Sequence, residues 1–278
     1  KTEDLCGWFN EQPKLTARIN TILIDIPQCL TLLNEQGWDV TQDTNYDDII
    51  YINSHRGSLE KSEAVINGYI TCMDKASMLV ARLVNPQPGE CILDCCAAPG
   101  GKSMYMAALM NNVGSLMSCD IHEHKIELMN LNAERLGASI VHTKVQDATK
   151  LPNSWNSYFD RVLVDAPCSG LGILQKKLDM RWRKQESILS ELPSLQLAIL
   201  ERAAMTVKEN GYLIYSTCTL NYKENEGVVE SFLQKHKEFS IIPVADDFPL
   251  KSNSGMITTY PPIDDMDGFF MVKMQRIS

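Results

Sequence analysis

Beyond residue 90, short apolar runs alternate with stretches in which apolar residues recur every three to four positions. These are the periods of a buried strand and of a one-faced helix. The runs predict strands over 91–94, 115–119, 140–145, 161–164 and 212–215. The periodic stretches predict helices over 102–111, 124–136, 195–207 and 224–235, the second closed by Gly137 and the third turning through Gly211 into strand. A last run over 268–274 predicts an antiparallel edge strand. Strands alternating with helices build a parallel, doubly wound sheet, so the expected class is α/β.

Residues 1–70 lack this rhythm. Alternation over 15–24 and the run over 49–52 predict strands, and 27–36 carries a helical stripe stopped by Gly37. The expectation is a small α+β subdomain over 1–70, ahead of a larger domain over 71–278. At the joint, Asp74 is placed to cap a helix whose Ala76, Leu79, Val80 and Leu83 share one face, and Asn85-Pro86 ends it.

With 278 residues, 44% of them hydrophobic, the chain can bury one full domain and a smaller one. Its net charge of −9 is the wrong sign for a general nucleic-acid binder, so any RNA contact must come from a local basic patch. The nine cysteines form no C-x-x-C pair and mostly sit among apolar or small residues. That argues against zinc and against a disulfide framework, and for a reducing, cytoplasmic setting. No metal, membrane or partner subunit is expected. No apolar stretch is long enough to span a bilayer and no signal-like segment opens the chain; a start at Lys1 suggests that an upstream piece has been removed.

The chemistry gathers around 92–102, Ile-Leu-Asp-Cys-Cys-Ala-Ala-Pro-Gly-Gly-Lys. An apolar strand ending at Asp94 runs into small residues that let the backbone turn sharply, and then into a helix whose free amides favour nucleotide-like ligands. A phosphate-cradling loop, and so a nucleotide hydrolase with 163–165 as the metal-holding strand, is one reading. It needs a glycine at position 96, which is Cys96. The other is a loop for the methionine end of S-adenosylmethionine, formed by Cys96, Ala97, Ala98, Pro99, Gly100, Gly101 and Lys102. It requires carboxylates after later strands. Asp120 ends the next strand, about where such folds bind a ribose, and Asp147 ends the third, where a carboxylate can meet an adenine. Each alone reads equally well as a turn-capping residue.

Cys168, in Asp165-Ala166-Pro167-Cys168-Ser169-Gly170, and Cys218, in Ser216-Thr217-Cys218-Thr219, follow two further strands on the cofactor side. A thiolate beside S-adenosylmethionine suits methylation of a pyrimidine ring carbon: carbon-5 of cytosine becomes nucleophilic once sulfur adds to carbon-6. Asp165 is placed to act as the acid at ring nitrogen-3, and a base must later take the carbon-5 proton. The residues alone do not rank one cysteine above the other. Lys176, Lys177, Arg181, Arg183 and Lys184, with Trp182 among them, form the densest basic cluster and the expected RNA contact, where the target base leaves its stack. Lys14, Arg18 and Arg56 could meet phosphates from the first subdomain, or be ordinary solvated surface.

The motifs 94–102, 165–170 and 216–219, then Glu224-Asn225-Glu226 and Gly268-Phe269-Phe270, together resemble the Fmu/Sun/nucleolar-protein family of RNA cytosine carbon-5 methyltransferases. The match is clear from about residue 68 to 226 and at the last strand, and looser before it, mainly at Arg18-Ile19-Asn20. Thr219 stands where serine is commoner, and Met73 where glutamine is frequent. The resemblance implies a Rossmann-like class I methyltransferase fold, S-adenosylmethionine as cofactor and an RNA-binding first subdomain. It implies Cys218 as nucleophile, Cys168 in product release, and Asp165 facing both cofactor and base. The ending looks most like the bacterial small-subunit ribosomal RNA enzymes, which usually carry an extra upstream helical domain; a transfer RNA enzyme is the alternative.

Overall fold

The computed structural model describes residues 2–183 and 186–277, without the side chains of 183 and 186–189. Helix α1 (Thr2–Trp8) leads into a four-stranded antiparallel sheet built from β1 (Leu15–Ile19), β2 (Asp39–Gln42), β3 (Ile49–Ser54) and β4 (Ile70–Cys72), in the order β2-β3-β1-β4. Helices α2 (Ile26–Glu35) and α3 (Glu63–Ile66) lie between its strands in the chain. Cys29 and Leu33 of α2 share a small core with Ala17, Ile19, Ile50 and Ile52. Neither β2 nor β4 carries an apolar run, and both went unforeseen.

Helix α4 (Lys75–Val84) begins where Asp74 accepts the Ala76 amide and ends at Asn85 in the left-handed conformation. The large sheet follows: β5 (Cys91–Asp94), α5 (Gly101–Leu109), β6 (Ser115–Asp120), α6 (Glu123–Arg135), β7 (Val141–Val145) and β8 (Phe159–Asp165). After α7 (Met180–Arg183) and α8 (Glu186–Ala204) come β9 (Val207–Thr217), α9 (Glu226–Lys235), β10 (Phe239–Ile241), β11 (Met256–Thr258), α10 (Pro261–Asp264) and β12 (Phe270–Arg276). The order is β10-β12-β9-β8-β5-β6-β7, with β11 also on β12. Strands β5 to β9 are parallel.

Alternate residues of the central strands feed opposite cores. Ile92, Leu163 and Ile214 pack with α4 and α5, while Leu93, Val162, Val164 and Leu213 pack with α8 and α9. The strand order reverses between β5 and β8, and there the carboxyl ends open a crevice.

The sequence expectation fails at two places in this sheet. Strand β12 is antiparallel as expected, but it is interior: β9 pairs with one side of it and β10 and β11 with the other. Those two strands have only three residues each, too few to show a period. Helix α8 starts at Glu186, ahead of the expected start at 195, and runs through Pro193, a residue that lacks the amide hydrogen a helix interior uses.

Candidate active site

The crevice holds a cleft of about 350 Å³ lined by Cys96, Ala98, Asp120, Asp147, Asp165, Cys168 and Cys218, with Ile173, Met180, Leu195 and Ile199 as apolar wall. Its size suits a small ligand. A larger opening of about 780 Å³ lies over the first sheet, beside Gln12, Lys14, Asn53 and His55, and contains neither thiol. The wall residues come from loops and from α7 and α8, where nothing in the sequence marks them.

Gly100 stands at φ +99°, a conformation that L side chains rarely adopt, and it turns the chain into α5, which starts at Gly101. The neighbouring Ala97, Pro99, Gly100, Gly101 and Lys102 shape this turn without forming the cleft wall. Asp120 is 8% exposed, and its Oδ1 accepts the His122 amide at 3.0 Å. Asp147 caps the turn after β7, accepting the Thr149 hydroxyl at 2.6 Å and amide at 2.9 Å, which hold its carboxyl below the ordinary value. It therefore both caps a turn and lines the cleft.

Asp165 is bound on both oxygens, by the Ser216 hydroxyl at 2.8 Å and by Lys102 Nζ at 2.7 Å. Burial works to lower the Lys102 value, but Asp165 beside it wins and the ammonium is held above its usual range. The lysine is committed to this carboxylate rather than free for a phosphate.

The two sulfurs lie 3.0 Å apart, and the Cys218 amide donates to Cys168 Sγ at 3.2 Å. A thiolate here accepts a hydrogen bond from the other S–H, so one proton leaves easily and the second does not. Cys168 is the proton-poor partner: the Cys218 thiol donating to it lowers its value against burial, helped by the Cys218 amide, and the same sulfur contact and burial raise that of Cys218.

The loop bearing Cys168 is stitched down from several sides. The Gly172 amide donates to the Cys218 carbonyl at 3.0 Å, and the Gly172 carbonyl accepts from the Gly268 amide at 2.9 Å. Gln175 donates to the Trp8 carbonyl at 2.9 Å, fixing the segment after α1 against this loop.

A family model for the 16S rRNA methyltransferase RsmB/F matches residues 81–275. The chain belongs to this family. A probable ribosomal RNA small subunit methyltransferase B of Bacillus subtilis (strain 168) is similar at 37% identity, over 99% of this chain and 62% of that protein. The chain thus spans about three fifths of the length of the curated relatives it matches. The solved structure of PH0851 is 31% identical at TM-score 0.92, over 98% of this chain and 62% of that one. A methyltransferase homolog protein from Pyrococcus horikoshii is 25% identical at TM-score 0.85, over 98% and 90%.

RsmB/F-family proteins use S-adenosylmethionine, and the cleft fits it: Cys96 and Ala98 from the turn before α5, the Asp120 and Asp147 carboxylates at successive strand ends, and an apolar wall. Among the described residues no cluster of His, Cys, Asp or Glu could hold a metal ion, and no helix is long and apolar enough to cross a membrane.

The basic residues of this RsmB/F-family chain are placed differently from expectation. Arg18 is fully buried under Tyr105, its guanidinium carbon 5.3 Å from the ring centre and its three nitrogens without hydrogen-bond partners. It packs from β1 against α5 and cannot reach a phosphate from there. Lys176 bridges Asp74 and, at 3.0 Å, Asp267, so its charge is met internally. Burial and then the charge of Asp74 push Asp267 up to about 7, against the pull of Lys176. Arg181 holds the Phe9 carbonyl, Asn10 and the Leu174 carbonyl. Lys177 is exposed, and Trp182 of α7 is 86% exposed. The Arg183 side chain and Lys184 lie outside the described residues.

Proposed function

We propose that this chain transfers a methyl group from S-adenosylmethionine to carbon-5 of a cytosine in RNA, through a covalent bond between Cys218 and ring carbon-6. The observation that carries this reading is the pair of sulfurs 3.0 Å apart in the same cleft as the strand-end carboxylates. Kinship with ribosomal small-subunit enzymes supports 16S ribosomal RNA as substrate.

The bound cofactor would supply an electrophilic methyl, with Asp120, Asp147 and the 96–102 turn holding it. In the reading, Cys218 Sγ bonds to carbon-6 as its proton passes to the Cys168 thiolate. The ring electrons move toward carbon-5, and Asp165 places a proton on nitrogen-3, with the Lys102 ammonium behind it as reservoir. After methylation the carbon-5 proton must go to a base. Cys168, having released its own proton to the open cleft, takes it, the carbon-6–sulfur bond breaks with its electron pair returning to Cys218, and nitrogen-3 hands its proton back through Asp165 to Lys102. Lys177 and Trp182 are the proposed surface contacts for RNA, a cation and an aromatic face beside the mouth.

Nucleoside analysis tests this. Ribosomal RNA incubated with the protein and cofactor should gain 5-methylcytidine, and Cys218→Ser should abolish the product while still binding S-adenosylmethionine. Unchanged turnover by Cys218→Ser would remove Cys218 as nucleophile. It would favour the second reading, in which the proton-poor Cys168 attacks, a role that the Cys218 amide on its sulfur would suit.

A further inference from the structure

Glu224 and Asn225 stand in the segment after β9, line no part of the cleft and take no step in the chemistry above. Glu224 is 0% exposed and Asn225 1%. A carboxylate buried this deeply is costly unless its oxygens are hydrogen-bonded. Glu224 Oε2 accepts the Ser169 amide at 2.7 Å and Gln196 Nε2 at 3.1 Å, and Oε1 accepts Asn221 Nδ2 at 2.9 Å. The same Gln196 amide donates to the Pro167 carbonyl at 2.9 Å. Through these bonds Glu224 grips the residues on both sides of Cys168.

Asn225 does the same for the other thiol. Its Oδ1 accepts the Thr217 hydroxyl at 2.5 Å, and its Nδ2 donates to the Thr219 carbonyl at 2.9 Å, on either side of Cys218. The Ser169 and Thr219 hydroxyls close the gap at 2.8 Å, and the Tyr215 hydroxyl donates to the Glu224 carbonyl at 2.6 Å. Two consecutive residues thus hold the two cysteine turns, which come from separate strands.

We propose that Glu224-Asn225 is the spacer that fixes the distance between Cys168 and Cys218, making these two positioning residues for both thiols. The catalytic part of this inference rests on the methyltransferase reading above; the geometric part does not. The negative charge matters because hydrogen bonds to an ionised acceptor are shorter and stiffer than neutral ones. In Glu224→Gln an amide nitrogen must point at a donor on one side, so at least one grip is released.

The test uses Glu224→Gln in two assays. Phenylarsine oxide bridges neighbouring thiols, and its binding to the wild-type protein, less that to Cys168→Ala, reports the pair alone. In Glu224→Gln this pair-dependent affinity should fall at least about tenfold. The kcat for RNA methylation should fall by at least about tenfold too, because angstrom-scale misplacement of reacting groups costs up to about a hundredfold. The RNA KM and cofactor affinity should stay within about threefold, since no binding contact is touched. Wild-type arsenical affinity in Glu224→Gln overturns the proposal, whatever happens to kcat. If that variant melts below the assay temperature, Gln196→Ala, which frees the Pro167 carbonyl and removes one donor, is judged by the same criteria. A wild-type protein that binds the arsenical through the pair but methylates no RNA cytosine would refute the functional reading and leave the spacer standing.

Discussion

Asp94 ends the strand beneath the cleft with no surface in water. Burial first, then the charge of Asp165, pushes its carboxyl from 3.8 up to about 7, against the Ser103 hydroxyl that donates to it at 2.7 Å. The native state therefore favours the protonated acid. Its contribution to stability is fully present below pH 3.8 and is lost as the pH rises through about 7. Asp94→Asn mimics the neutral form at every pH, so its melting temperature relative to wild type should be highest near pH 8 and decline toward pH 5. Calorimetry showing the gap widening toward pH 5 would contradict this. Arg18 gives a second prediction at this scale. A buried guanidinium without hydrogen-bond partners is replaceable by an apolar side chain at little or no cost. Arg18→Met should leave the melting temperature unchanged or raised and RNA affinity unaltered; a salt-dependent loss of RNA binding would return Arg18 to the RNA contacts. The carboxylates and thiols at strand ends were legible as a set in the sequence. The burial of Arg18 was not, because nothing in its neighbours announces that Tyr105 of α5 covers it.

At the scale of elements, the parallel strands were readable because buried strands of six or seven residues show as apolar runs, as β6 and β8 do. The Gly268-Phe269-Phe270 motif has no role legible in the sequence, and the fold supplies one. A methyl group added at Gly172 would lie 1.8 Å from the Gly268 carbonyl oxygen, so the Cys168 loop and the approach to β12 cross backbone against backbone. Gly172→Ala must push them apart. A loss of roughly 1–3 kcal/mol in unfolding free energy is expected, the usual cost of overpacking, with a lower kcat. Urea unfolding would check the first and initial rates the second; a fully active, fully stable variant would show that the crossing is not tight. No local period could have disclosed a contact spanning so much chain.

For the molecule as a whole, the joint between the two parts adds specific polar bonds to an apolar core in which Ile49 of β3 joins residues of α4 and α5. Asn20 donates to the Gly68 and Leu136 carbonyls at 2.9 and 3.0 Å, one acceptor beside the small sheet and one beyond α6. The Arg18-Ile19-Asn20 motif thus joins the two parts. The net charge of −9 confines any RNA contact to a local patch, and two cations of the expected cluster, Lys176 and Arg181, are bound within the protein. Lys177→Ala should lower the salt dependence of RNA binding by about one unit of slope, as for a lost phosphate contact. Lys176→Ala should spare that slope and lower kcat by loosening the Cys168 loop; equal effects on the slope would contradict the internal role of Lys176.

The most direct measurement is peptide mapping of the denaturation-resistant complex that Cys168→Ala should accumulate with RNA and S-adenosylmethionine. One adduct is expected, a methylated cytosine linked through carbon-6 to Cys218. A nucleotide on any other cysteine, or no adduct from a Cys168→Ala protein that turns over normally, would contradict it.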